Sequence, residues 1–282
     1  MERATVNTNT LTPVDEQWPE PSKRGSLRIL LRHHELIQSL VSRDIRSRYK
    51  QSILGIAWAL LQPLAMMIVY TVVFSMIATI DTGSIPYPLF SYVSVLPWMF
   101  FSQGVTASAE CLVANFSLIT KIYFPREAFP VSAILGKTVD LGLGVLVSVP
   151  LFIYYHVHLT WLILLVVPIL LVQTCLMLGI SLILSSTNVF YRDVRHVVPL
   201  LLQVWMYLSP VVYPMEKVPE RYRLLYNLNP MASIIDSYHR VALQGQAPVW
   251  SYLGIGTLVS VITLLAGYRL FKRLEPSFAE IV

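Results

Sequence analysis

Charge is scarce in this sequence. Only 13% of its 282 residues are Asp, Glu, Lys or Arg, while 55% are hydrophobic; an ordinary soluble domain carries about 25% charged residues. A water-solvated core of this length has no room for so much apolar surface. That excludes a soluble globular domain and points to a bilayer as the solvent. Cysteine is scarcer still: Cys111 and Cys175 lie near or inside apolar segments, so neither a disulfide framework nor a thiolate metal site is expected. The first 26 residues are polar, hold Pro13, Pro19 and Pro21, and contain no apolar h-region. They read as a flexible cytosolic arm rather than a signal peptide.

Catalytic signatures are missing as well. Gly136-Lys137-Thr138 ends like a phosphate-binding loop, but the pattern needs Gly where Val131 stands, and a strand-to-helix turn where an apolar run lies. No nucleotide site is expected in this chain, so ATP-driven work would need another one. Carboxylates and histidines do not gather in a metal-binding or glycosyl-transfer arrangement; His33, His34, His156 and His158 read as solvated surface. A membrane-embedded transferase is therefore disfavoured. No internal repeat is evident, which counts against a proton-coupled secondary transporter, the main alternative reading. The net charge is +5 and the pI near 9.2. Because the basic residues flank apolar runs instead of forming a basic domain, nucleic acid is not an expected partner.

What the sequence does hold is a series of long apolar runs. A helix needs roughly 20 apolar residues to cross the hydrocarbon core. Ile53–Ile80 is free of formal charge, broken only by Gln62-Pro63; Thr82–Ala109 follows, with Pro86, Pro88 and Pro97. Ala128–Tyr155 carries only Lys137 and Asp140. The 51 residues Leu141–Tyr191 hold no Asp, Glu, Lys or Arg. That is too long for one span, so His156 and His158 mark a hairpin tip and Leu159–Ser186 forms a fourth. Val197–Tyr213 makes a short fifth span and Val249–Tyr268 a sixth, giving an all-α integral membrane protein. In this arrangement 17 of the 21 Lys and Arg residues fall on one side. The positive-inside rule then places both termini in the cytosol.

The densest cationic cluster, Arg43–Lys50, stands immediately before the first span. Wound as a helix, Arg28, Arg32, Arg43, Arg46 and Lys50 fall within about 60° of one another, opposite Leu30, Ile37, Val41 and Ile45. The spacing predicts a basic amphipathic helix over residues 27–50, lying in the cytosolic interface. Asp44 and Arg48 break the pattern by pointing into the apolar sector. Their i, i+4 spacing predicts an ion pair, which suits a helix face covered by protein instead of lipid tails. Residues 51–282 then make up the six-span domain.

Two further cytosolic connections combine aromatics with charge: the turn bracketed by Pro125 and Pro130, and Asn188–His196. On the far side, Asn229 caps a helix with Pro230 first and Gly245 at its end. Met231, Ile234, Ile235, Tyr238 and Val241 form its apolar face, with Asp236 and Arg240 paired elsewhere. Too short to cross, it is expected to be a re-entrant or surface helix, preceded by another in Val218–Leu228. Lys137 and Asp140, inside the third span, are functional candidates by default, with structural pairing the simpler expectation.

Four blocks, RDIRSRYKQSILGIAWALLQP, KIYFPREAFP, FYRDVRHVVPLLLQVWMYLSPVVYP and LNPMASIIDSYHRVALQG, together resemble the membrane permeases of polysaccharide-exporting ABC transporters. The resemblance runs from about Leu27 to the C-terminus. It implies a transport subunit without its own ATP site, in the bacterial inner membrane. Its implied partners are two cytosolic ATPases carrying ATP and Mg, a second copy of itself, membrane lipid and a polyprenyl-diphosphate-linked polysaccharide. The Phe-Pro-Arg-Glu block favours an O-antigen-like cargo over capsule or teichoic acid. ATPase coupling would fall to Arg43, Asp44, Arg46 and Arg48, to Tyr123, Phe124, Pro125, Arg126 and Glu127, and to Tyr191, Arg192, Asp193 and Arg195. The short helices holding Asn229, Pro230, Asp236, Tyr238 and Arg240 would line the exit. Aromatic side chains stack on flat sugar faces without fixing one register, which makes Trp58, Trp98, Phe100, Phe101, Trp205, Tyr207 and Tyr213 the candidate channel lining.

Overall fold

A computed structural model describes residues 34–50, 53–119 and 125–279, and these form helices and connections without a strand. The expected arm, residues 27–33 of the expected interface helix, and Tyr123 and Phe124 lie outside the described residues. Helix α1 (His34–Tyr49) is the described part of the expected interface helix. Helix α2 (Ala57–Tyr70) winds on as a π-helical segment, Thr71–Ile77. Helix α3 (Tyr87–Ala114) starts where Pro86 takes an extended conformation and Pro88 sits in the first turn, where a missing N–H costs nothing. A single turn, α4 (Phe116–Ile119), and helix α5 (Ala128–Tyr154) follow. The chain reverses at His156, whose φ of 53° is left-handed, and enters α6 (Val166–Phe190) through the 3-10 turn Trp161–Leu165. Then come α7 (Val194–Tyr207), α8 (Glu220–Asn227), α9 (Pro230–His239) with a π-helical extension Arg240–Gln244, and α10 (Trp250–Leu274).

Among the described residues, four helices are long and apolar enough to cross a membrane: Ala57–Ile77, Ala128–Tyr154, Trp161–Phe190 and Trp250–Phe278. The expected second and fifth spans look different. Helix α3 has the length, but it is the hub of the bundle, packing against α2, α5, α6, α7 and α9. Most of its residues are buried, including Ser91, Ser94 and Ser108, so it faces protein and does not need a uniformly apolar surface. Helix α7 stops at Tyr207, not Tyr213. Pro210 lacks an N–H and disfavours helical geometry at Ser209, and its 14 residues span about 21 Å against a hydrocarbon core of about 30 Å.

The most extensive packing joins α6 to α10. It depends on Gly179 and Gly267, where a Cβ on Gly267 would stand 2.3 Å from the Gly179 carbonyl oxygen. Backbones approach that closely only where side chains are absent, the usual way for helices to associate when lipid supplies no hydrophobic drive. Outward, Ile68 (58% exposed), Leu146 (65%) and Leu171 (62%) present large apolar side chains. Such surface matches hydrocarbon better than water.

Chain reversals divide the bundle into two ends. One gathers α1, the starts of α2 and α5, and the ends of α3, α6 and α10. There Lys272 pairs with the buried Glu127 at 2.5 Å, Arg126 donates to the Glu275 carbonyl, and the Phe190 and Phe278 rings lie 6.1 Å apart. The opposite end holds the α2–α3 loop, the His156 turn and residues 208–249. There Tyr87 donates its hydroxyl to the Val212 carbonyl at 2.8 Å.

Candidate functional site

The basic stripe of α1 is exposed at Arg43, Arg46 and Lys50, while Leu40 and the apolar sector turn inward. Asp44 and Arg48 point inward too and pair at 2.6 Å. They rest on α5 at Gly136, where a Cβ would meet the Asp44 carboxylate at 2.7 Å and the Arg48 guanidinium at 3.0 Å. The glycine is what allows two charged side chains to lie flat between the helices.

From this contact a chain of polar groups runs through the bundle. The Arg48 guanidinium reaches Asp140 of α5 at 2.5 Å, and the Tyr49 hydroxyl donates to the other oxygen of the same carboxylate at 2.5 Å. Lys137 stands 3.4 Å from Asp140 and donates to the Gln103 amide oxygen of α3 at 3.2 Å. Gln103 in turn donates to Gln62 of α2 at 3.2 Å. Four helices are thus tied through one set of contacts. Burial, then the bond to Asp140, pushes the Tyr49 phenol up to about 12. Arg48 is held charged: burial opposes its charge, but the two flanking carboxylates more than compensate. Removing one member of such a set leaves the others charged without a counterpart.

Beside the crossing lies a cavity of about 180 Å³ lined by Arg48, Tyr49, Gln62, Gln103, Lys137 and Asp140, with Trp58, Phe100 and Leu96 on its apolar walls. It brings together residues assigned on sequence grounds to separate roles: Arg48 to coupling, Trp58 and Phe100 to the channel, and the ionisable pair of the third span. Tyr49, Gln62, Gln103 and Gly136 were not anticipated. The two glutamines had a legible signal, amides inside otherwise apolar runs; the glycine had none.

The other assigned residues separate into inward and outward groups. Tyr191, Arg192, Asp193 and Arg195 form an exposed three-residue turn and the first residues of α7. Arg43 donates to Asn115 at the end of α3. Pro125 and Arg126 are half-buried and Glu127 buried. The Arg126 guanidinium lies 5.6 Å from the Phe278 ring, so Arg126 and Glu127 clasp the end of α10. Trp98, Phe100 and Phe101 are core residues of α3; Trp98 and Phe101 pack with Trp205 at centroid distances of 6.5 and 5.4 Å. Trp205 donates to the Asn229 amide oxygen at 2.8 Å, and Tyr213 donates to the Tyr207 carbonyl at 2.9 Å. Trp58 and Tyr207 are the exposed members of that aromatic set.

At the opposite end, Asn229 caps α9 by accepting from the Met231 N–H at 3.1 Å, while its amide donates to the Leu208 carbonyl at 2.9 Å. Every residue from Pro230 to His239 is buried, so α9 is enclosed by the bundle and is not a surface helix. Its Tyr238 hydroxyl donates to Gln173 of α6, which donates to the Pro97 carbonyl of α3. Asp236 pairs with Arg240 at 3.1 Å, as their spacing predicts.

The sequence that builds this bundle has relatives. The chain is 31% identical over 256 residues to the O-antigen export system permease protein RfbA of Myxococcus xanthus, covering 90% of this chain and 98% of that one. An RfbA protein of Klebsiella pneumoniae is 29% identical, with 88% and 95% covered. The polysialic acid transport protein KpsM of Escherichia coli is 24% identical, with 83% and 92% covered. Residues 35–242, from the second described residue of α1 into the π-helical end of α9, match the ABC-2 type transporter family. On that match, which takes in the charged crossing, the chain belongs to the ABC-2 type transporter family.

Proposed function

We propose that this chain is the permease subunit of an ATP-driven exporter that carries a lipid-linked, O-antigen-like polysaccharide across the bacterial inner membrane. Similarity to the export permeases over nearly the whole chain supports the class. The observation that carries the mechanism is the bond of Arg48 and Tyr49 to Asp140, which joins the interface helix to the third span. In this reading α3 and α7 complete a six-span bundle, both termini are cytosolic, and α8 and α9 form the re-entrant exit pair. Two ATPase chains supply ATP and Mg, and two copies of this chain enclose the path.

The exposed basic stripe of α1 and the Tyr191–Asp193 turn share one end of the bundle and face outward. They form the docking surface for the ATPases. A push on α1 passes through the Asp140 contacts to α5 and through Gln103 to α3. ATP shifts the bundle between states only if the ATPase contacts those states differently, and a rigid interface helix makes that difference felt in the wall. Pairing of Lys137 and Asp140 with Arg48, Tyr49 and Gln103 supports a coupling role over a proton relay.

Arg192→Ala tests the docking assignment, because Arg192 is exposed in the turn. The expected outcome is surface polysaccharide reduced about tenfold with the permease still inserted at normal level. Unchanged export would remove that turn from the coupling surface.

A further inference from the structure

At the end of the bundle that holds α1, a second cluster of buried apolar side chains forms, separate from the main core. It takes Leu40 from α1, Leu112 from α3, Phe129 from α5, Leu182 from α6 and Phe271 from α10. Its remaining large member, Phe278, lies beyond α10 and is only 1% exposed. Pro276 has no N–H with which to extend the α-helix, and Glu275–Ala279 tighten into a 3-10 turn. The turn keeps Phe278 beside Phe271, the two rings meeting edge to face at 5.6 Å and 79°. The Phe278 ring also lies 6.1 Å from Phe190, the last residue of α6, and 5.6 Å from the Arg126 guanidinium. Arg126 donates to the Glu275 carbonyl, as basic side chains commonly do at helix ends. Lys272 holds the buried Glu127 carboxylate at 2.5 Å and Glu275 at 2.8 Å.

Each outward element assigned to ATPase coupling has an inward root here. Arg43 and Arg46 are exposed on α1, and Leu40, one turn before Arg43, is buried in the cluster. Tyr191, Arg192 and Asp193 are exposed directly after Phe190, which packs against it. Arg126 and Glu127 are gripped by Lys272, Glu275 and Phe278. These elements are far apart in sequence, and the segment beyond α10 is where they meet. A push on one of them is lost if that element can shift alone. A close-packed cluster resists compression and passes the displacement on. Phe278 itself is buried and carries no polar group, so it suits a positioning role and not contact with polymer or ATPase. We propose that Glu275–Ala279 is a latch, with Phe278 as its positioning residue. It fixes α1, the Arg126–Glu127 connection and the Tyr191–Asp193 turn to one another, so that the ATPase moves them as one body. This rests on the export reading above and adds to it a residue outside the docking surface. A segment that only filled space would affect stability without changing how much polymer moves per ATP.

The test has two readouts. The first is polymer exported per ATP hydrolysed, for the full-length chain with its ATPase in vesicles. The second is the distance between spin labels at Arg46→Cys and Asp193→Cys in the full-length chain alone in nanodiscs. The labelled chain carries Cys175→Ser, since Cys111 is buried. Phe278→Ala is expected to lower export per ATP about tenfold and to broaden a distance distribution that is narrow with Phe278 in place. Phe278→Met, which refills the space with a flexible apolar side chain, is expected to restore both. Arg126→Gln removes the bond to Glu275 without opening a core cavity, and is expected to broaden the distribution too; it decides the matter if Phe278→Ala fails to insert. Export and hydrolysis falling equally in Phe278→Ala, an unchanged ratio, or an unchanged distribution in either variant would overturn the latch. Wild-type vesicles that export no polymer would instead remove the export reading. The distances, read without the ATPase, decide separately whether the segment fixes the two elements to each other.

Discussion

At the residue scale, the informative group is Asp140, which receives Arg48, Tyr49 and Lys137. Half of this was legible. The i, i+4 spacing of Asp44 and Arg48 announces a local pair, and a Lys and an Asp inside an apolar run announce a partner. Periodicity assigns faces, however, and cannot say that Arg48 meets a carboxylate 92 positions away. Residue type alone could not place the aromatics: Trp98 and Phe101 are buried within the chain, and the same rings serve cores, lipid belts and sugar platforms. The Tyr49 bond gives a pH-dependent prediction. Its phenol is raised from 10.0 to about 12, chiefly by burial and then by the bond to Asp140. A raised folded-state value means a contribution fully present below pH 10 and lost as pH climbs through 12. Thermal unfolding in nanodiscs is therefore expected to place Tyr49→Phe below the wild type by a constant margin up to pH 10. The margin closes toward pH 12; a margin that does not change over that interval would contradict the assignment.

At the element scale, two helices defied their expected outlines for physical reasons. Helix α3 is polar enough to fall outside the apolar spans since its neighbours cover it, and α7 ends early at the Ser209-Pro210 step. Helix α9 had every boundary signal in the sequence, from the Asn229 cap to the left-handed Gly245. Its complete burial had no such signal. The α6–α10 seam was also silent in the sequence, because small residues mark close packing only once the facing helix is known. At that seam Gly267→Ala places a methyl group 2.3 Å from the Gly179 carbonyl oxygen, and the backbones must separate. Overpacking of this kind costs about 1–3 kcal/mol. A lower unfolding temperature is expected, with Gly254→Ala, where a Cβ meets no atom, as the control. Equal unfolding temperatures for the two variants would mean that the seam is looser than described.

At the scale of the whole molecule, the two ends differ in kind. The end that holds α1 is basic, clasped by Arg126, Glu127 and Lys272, and carries the exposed turn. The opposite end is irregular, with both π-helical segments and a polar cavity of about 780 Å³ between the α2–α3 loop, the Met215–Lys217 turn and α9. The division of charge between the ends was legible from the order of apolar runs and basic residues. The cavity was not, since it arises from three segments far apart in sequence. Function at this scale requires that motion at one end reach the other, and the helices bonded through Asp140 are the route assigned to it.

The most direct measurement compares wild type with Asp140→Asn in vesicles containing the permease and its ATPase, following polymer export and ATP hydrolysis together. The substitution keeps the shape of the side chain and removes the charge that Arg48 and Lys137 share. The account predicts an assembled complex that still hydrolyses ATP while export falls about tenfold or more. Export at the wild-type rate by that variant would contradict it.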